Sequence, residues 1–219
     1  MENILEITNK RWEIYEFLSC SYLNIPTEEI IKIIKDKSSA LEVLARDDTN
    51  FMKGKNLKDF TQEYYDRFFV PTAKLYVPPY EAAIRNKKEG NGKMKYGKLD
   101  SPETFHVKAC YEMVDFKVHE LNGFKPLLGN SFPDHIAFEL SFMTYLVSLE
   151  KSALESGNDE NAKKWRKLQK DFLTEHPFKW FSEYARLSNE KGKGLYSYLN
   201  NISANWIEAD LAYLIDEDF

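Results

Sequence analysis

The residues able to do chemistry are few: four histidines, two cysteines, and no nucleophile-elbow or Ser, His and Asp pattern. Asp134 and His135 follow Pro133 at the start of the most apolar stretch of the chain. A proline at a first helical position and an acid in the first turn both suit a helix start. The histidine adds chemistry, because Asp134 and Glu139, one turn on, are placed to hold it charged. Glu103-Thr-Phe-His106 matches the Glu-x-x-His step that puts two ligands on one helix face in di-iron bundles. Such a centre needs a second copy of the step, and the chain has none, so no metal is expected there. Gly92-Lys-Met-Lys-Tyr-Gly97-Lys98 has the spacing of a phosphate-binding loop, but Leu99 replaces the magnesium-holding hydroxyl and no hydrophobic strand precedes it. It reads as a lysine-rich loop. His119, near a helix end, and His176, before Pro177, read as surface or capping histidines. Cys20 and Cys110 lie far apart with no Cys-x-x-Cys, which suggests buried thiols rather than a disulfide framework or a zinc knuckle.

The elements that position these residues read as helical throughout. Apolar residues recur at three- and four-residue steps, alternating runs are nearly absent, and no longer period repeats. The 219 residues, 43% hydrophobic and 15% aromatic, suffice for one core without disulfides or metals. We therefore expect an all-α fold: a single domain over residues 1–219, a bundle of about ten helices. The pattern predicts helices near 4–23, 27–35, 39–46, 57–69, 79–86, 101–121, 133–155, 158–173, 177–189 and 193–215. Along 133–155, Ile136, Leu140, Met143 and Val147 form one apolar stripe and Phe138, Phe142, Tyr145 and Leu149 another. Apolar on two faces, this helix is expected at the centre, with Glu139, Ser141, Thr144 and Ser148 on the remaining strip. Residues 70–79 carry three prolines and should form a rigid extended connection. Residues 87–98, rich in Lys, Gly and Asn, should form a mobile loop and hinge.

Charge narrows the partners. Thirty Lys plus Arg against thirty-five Asp plus Glu give a net charge of −5, and the six arginines are scattered. Nucleic acid is a poor match, and a basic partner a better one. The longest uncharged helical run, Leu140 to Leu149, is half a membrane span. The expectation is a cytoplasmic protein without stable membrane insertion.

Phe68-Phe69-Val70-Pro71, Pro78-Pro79-Tyr80-Glu81, Phe132-Pro133-Asp134-His135-Ile136 followed by Glu139-Leu140-Ser-Phe142-Met143, and Phe172-Leu-x-x-His176-x-x-x-Trp180 together resemble the TorD/DmsD/NarJ family of redox enzyme maturation chaperones. Their order and spacing extend over nearly the whole chain. The resemblance implies an all-helical cytoplasmic chaperone, not an enzyme and with no cofactor of its own. It would bind the twin-arginine leader, or another segment, of a molybdenum-containing oxidoreductase subunit until cofactor insertion is complete. Its binding residues would be Phe69, Pro79, Tyr80, Glu81, Asp134 and His135, and it would act as a monomer or homodimer. Val70 stands where the family usually has glycine, Ala82 where it has serine, and Phe132 where it has glutamate. The residues themselves agree in kind, since paired arginines before an apolar segment call for carboxylates beside an aromatic groove. Glu81 and Asp134, near Tyr80, Phe69 and Phe132, supply these if the two helix starts meet. The alternative is a small helical metalloprotein or enzyme using His135 and Glu139, with Glu103 and His106.

Overall fold

The computed structural model describes residues 4–90 and 93–216. Its helices are α1 (Ile4–Leu23), α2 (Glu28–Asp36), α3 (Ser38–Ala45), α4 (Leu57–Phe68), α5 (Glu81–Arg85), α6 (Pro102–Met113), α7 (Lys125–Asn130), α8 (Ile136–Glu155), α9 (Asp159–Glu175), α10 (Pro177–Lys191) and α11 (Leu195–Asp216). Single 3-10 turns stand at Asn50–Met52 and Val118–Glu120. The fold is all-helical, as the periodicity requires, with three departures from the expected elements.

First, the expected helix 101–121 ends at Met113. Asp115 adopts a left-handed conformation, φ 57°, which short polar side chains tolerate better than most. The turn brings the Phe116 N–H onto the Tyr111 carbonyl at 2.9 Å and puts the Phe116 ring against Tyr111, Phe142 and Tyr145. α7 then forms where no helix was expected. Second, the interval 87–98 contains an antiparallel ribbon, β1 (Lys88–Gly90) with β2 (Lys93–Lys95). Its far end is pinned, because Gly97 N–H donates to Ala83 O at 2.9 Å. Asn91 and Gly92, on which the hinge and phosphate-loop readings turn, lie outside the described residues. Third, α5 begins at Glu81 and not at Pro79, because Pro79 and Tyr80 stay extended and pair elsewhere.

α8 is central and lies chiefly against α1 and α9, while α11 packs on α10, α3, α9 and α4. Most of the α8 polar strip is buried as well: Glu139, Ser141 and Thr144 are inside, and the two hydroxyls return to carbonyls one turn back. Near the middle of the core, Arg11 of α1 donates to Glu150 of α8 at 3.0 Å and to Asp210 of α11. Arg166 of α9 completes the group on Glu150. At the start of α11, Ser197 Oγ accepts the Gly194 N–H at 2.8 Å, which leaves the next two N–H groups to another helix. Glu63 of α4 receives them, accepting the N–H groups of Leu195 and Tyr196 at 3.0 Å each. A Cβ on Gly194 would lie 2.4 Å from that carboxylate, so glycine is required for the approach. No helix of the described residues is long and apolar enough to cross a membrane.

Candidate functional site

The starts of α5 and α8 meet. Tyr80 and His135 form an isolated antiparallel bridge, in which Glu81 N–H donates to Asp134 O and Ile136 N–H to Pro79 O, both at 3.0 Å. Proline has no N–H to give, so its carbonyl alone enters the pairing. Asp134 Oδ2 accepts the Ala82 N–H at 2.9 Å, capping α5 from the segment that leads into α8, and His135 Nδ1 accepts Ala137 N–H as the N-cap of α8. The two motifs that look like separate helix starts are therefore one hydrogen-bonded junction.

Five of the six expected binding residues lie at this junction: Pro79, Tyr80, Glu81, Asp134 and His135. Phe69 does not. It packs with Tyr64, Tyr65 and Phe124, while Phe68 reaches the His135 ring at 6.1 Å. Phe132 stands edge-on to Tyr80 at 6.1 Å and is 39% exposed. These two rings form the rim.

Behind the rim, the carboxylates of Glu81, Asp134 and Glu139 are wholly buried. Glu81 is satisfied by Arg85 and by His176 Nδ1 at 2.7 Å. Burial pushes the Asp134 carboxyl up to about 6, against the lowering pull of the Ala82 N–H, with Glu81 adding to the rise. Burial first and then Glu81 hold Glu139 well above the ordinary carboxylate range, although Trp180 Nε1 donates to its Oε2 at 2.9 Å. Asp134 Oδ1 and Glu139 Oε1 have no hydrogen-bond partner among the described residues. A buried acidic cluster with two unpartnered oxygens is suited to pairing with a cationic donor.

Two expectations about charge and ligation are corrected. His135 is not held charged: burial among the rings of Phe68, Tyr80 and Phe138 pushes it down to about 3. A neutral, ring-packed histidine whose Nδ1 is already a helix cap does not pair with Glu139 as a metal ligand. Glu103 turns away from His106, accepting from Ser101 Oγ at 2.6 Å and Asn86 Nδ2 at 3.0 Å. His106 faces His176 instead, with Nδ1 and Nε2 2.7 Å apart. His176 is 2% exposed and not the surface residue its place before proline suggests. Cys20 and Cys110 are half-buried. The spacing of His106 and Cys110, one helical turn, was the available signal, and pairing His106 with Glu103 passed over it. Gly97, the second glycine of the lysine-rich loop, spends its N–H on Ala83 of α5.

A family model described as nitrate reductase delta subunit matches residues 35–186, well over half of the chain. The chain belongs to that family. It is the NarJ and TorD type of assembly chaperone, whose members are not enzymes. The matched stretch takes in α3 through most of α10, and with them the whole junction of α5 and α8. A curated relative, the selenate reductase assembly chaperone protein of Thauera selenatis, is 36% identical over 55 residues, 25% of this chain and 28% of that protein. The shared stretch thus spans little more than a quarter of either. No solved structure matches the chain.

Proposed function

We propose that this protein is a maturation chaperone for a subunit of a molybdenum-containing oxidoreductase, and that it receives the basic twin-arginine leader of that subunit at the junction of α5 and α8. Membership of the delta subunit family supports the coarser part. The observation that carries the finer part is the set of buried carboxylates behind the Tyr80 and Phe132 rim, with Asp134 Oδ1 and Glu139 Oε1 left without partners. A guanidinium offers five N–H donors in a fixed fork and meets that need better than water or an ammonium group. The apolar segment after the arginines would lie along Tyr80 and Phe132.

The carboxylates are buried behind the Tyr80 and His135 bridge, so docking has to open the junction. Because burial keeps Asp134 and Glu139 partly protonated, an arriving guanidinium favours their ionised forms and expels protons. Affinity should therefore rise as pH rises through about 6, the value for Asp134. We would titrate a leader peptide into the protein by calorimetry at pH 6 in two buffers of different ionisation heat. Net proton release is expected, together with losses of about 2–5 kcal/mol in Asp134→Asn and Glu81→Gln while the fold persists. Binding without proton release, and unchanged in both variants and in His135→Ala, would place the leader elsewhere.

A further inference from the structure

We propose that His106, Cys110 and His176 form a binding site for a zinc-class divalent cation, held by His106 Nδ1, His176 Nε2 and the Cys110 thiolate. This goes beyond the chaperone reading and does not depend on it.

The ligand atoms come from two directions. His106 and Cys110 stand four residues apart on α6, hence on one face. His176 closes α9 and precedes Pro177, the first residue of α10. A residue before proline is kept out of the helical region, so the corner between α9 and α10 is fixed there, and its side chain with it. The three ligand atoms all lie within 4.8 Å of one another. A zinc ion sits about 2.0–2.1 Å from imidazole nitrogen and about 2.3 Å from sulfur. The pair of nitrogens at 2.7 Å must therefore part slightly and the sulfur must approach. His106 is exposed and Cys110 half-buried, so both side chains have room to make that adjustment.

His176 is already prepared as a ligand. Its Nδ1 faces Glu81 Oε2 at 2.7 Å, which assigns the ring proton to Nδ1 and leaves Nε2 with a lone pair toward His106. A carboxylate behind the far nitrogen of a metal-binding histidine sets its tautomer and raises its basicity. Access is also present: His106, Cys110 and His176 line one cavity of about 180 Å³ with Asp171 and Glu175. The fourth position would be filled by water from that cavity. On binding, two protons are displaced. His106 gives up to solvent the Nδ1 proton it shares with His176 Nε2 and takes one up at its Nε2, so that Nδ1 is free to ligate. The S–H bond of Cys110 breaks as the sulfur–metal bond forms, its proton leaving to solvent. Two imidazoles and one thiolate select borderline metals over magnesium or calcium.

The test uses the full chain, reduced and freed of metal by a chelator. Cobalt(II) should bind with one-to-one stoichiometry and give a thiolate-to-cobalt band in the near ultraviolet, which one equivalent of zinc abolishes. Cys110→Ser should lose the band, and His106→Ala should weaken zinc binding by about tenfold or more. Cys20→Ser and His119→Ala should change neither. Should Cys110→Ser fail to fold, alkylation of the folded wild-type thiol reads the same contact, and zinc should slow it by about tenfold or more. Absence of the thiolate band, binding that survives both ligand variants, or a Cys110 alkylation rate indifferent to zinc overturns the proposal.

Discussion

Asp134 receives the Ala82 N–H on one oxygen and nothing on the other, so its ionisation and the start of α5 are linked. Its folded pKa, about 6, lies above the ordinary 3.8. A raised carboxyl contributes stability that is complete below its unfolded value and lost as pH rises through the folded one. The loss across that window is about 3 kcal/mol for a shift of this size. Asp134→Asn keeps an acceptor for Ala82 and cannot ionise, so its melting temperature should fall less than that of wild type between pH 4 and 7. Parallel melting curves would show that Asp134 does not titrate in this window. At this scale the sequence was informative about identity and poor about environment. Adjacent Asp134, His135 and Glu139 suggested an ion pair, yet it is burial, set by Phe68, Tyr80 and Phe138 from three separate segments, that decides the charge of His135. Phe69 was expected at the junction and Phe68 is there, because neighbouring residues on a helix point about 100° apart and only the packing of α4 sets which one faces α8.

Gly97 shows what an element can depend on. Its Cα lies so close to α5 that a Cβ would stand 2.5 Å from Ala82 O and 2.6 Å from the Asn86 Cβ. Overpacking of this kind costs about 1–3 kcal/mol. Gly97→Ala should therefore lower stability by that amount in urea unfolding, whereas Gly90→Ala, with open space around the added carbon, should change it little. Amide exchange should be slow at Gly97 and fast at Lys88 and Glu89, whose side chains are exposed. Equal exchange at the three would mean that the ribbon is not pinned. The long helices α1, α8, α9, α10 and α11 were legible nearly to their ends, because each sustains a 3.6-residue apolar period. Residues 101–130 were not. There Phe116 continues the period in the sequence but is buried by a left-handed turn at Asp115, and a pattern of side chains cannot register a change of backbone hand. The ribbon escaped for a related reason, since its exposed lysines and glutamate have no alternation to read.

At the scale of the whole molecule, a buried ion cluster links α1, α8, α9 and α11. Burial disfavours the charges, but Asp210 and Glu150 keep Arg11 above its ordinary pKa, and Arg11 and Arg166 keep Glu150 below its own. A depressed carboxyl contributes stability present above its unfolded pKa and lost as pH falls. The cluster thus opposes the trend of Asp134, and wild-type stability should peak at mildly acidic pH. Removing one partner from such a group leaves an uncompensated buried charge, so Arg11→Ala should cost about 3–5 kcal/mol in urea unfolding. A loss below about 1 kcal/mol would mean that water replaces the guanidinium. None of this cluster was visible in the sequence, where Arg11 and Asp210 are 199 positions apart and each resembles an ordinary surface charge. That distance has a consequence in time. On a ribosome adding about 5–20 residues per second, Arg11 emerges some ten to forty seconds before the aspartate it is built to meet. Until then α1 has at most Glu150 of α8 to pair with its guanidinium, and only translation of α11 completes the cluster around it. A protein whose family assists the assembly of other enzymes thus completes its own assembly from the two ends inward, and a nascent chain stalled before Asp210 should remain open to proteases along α1.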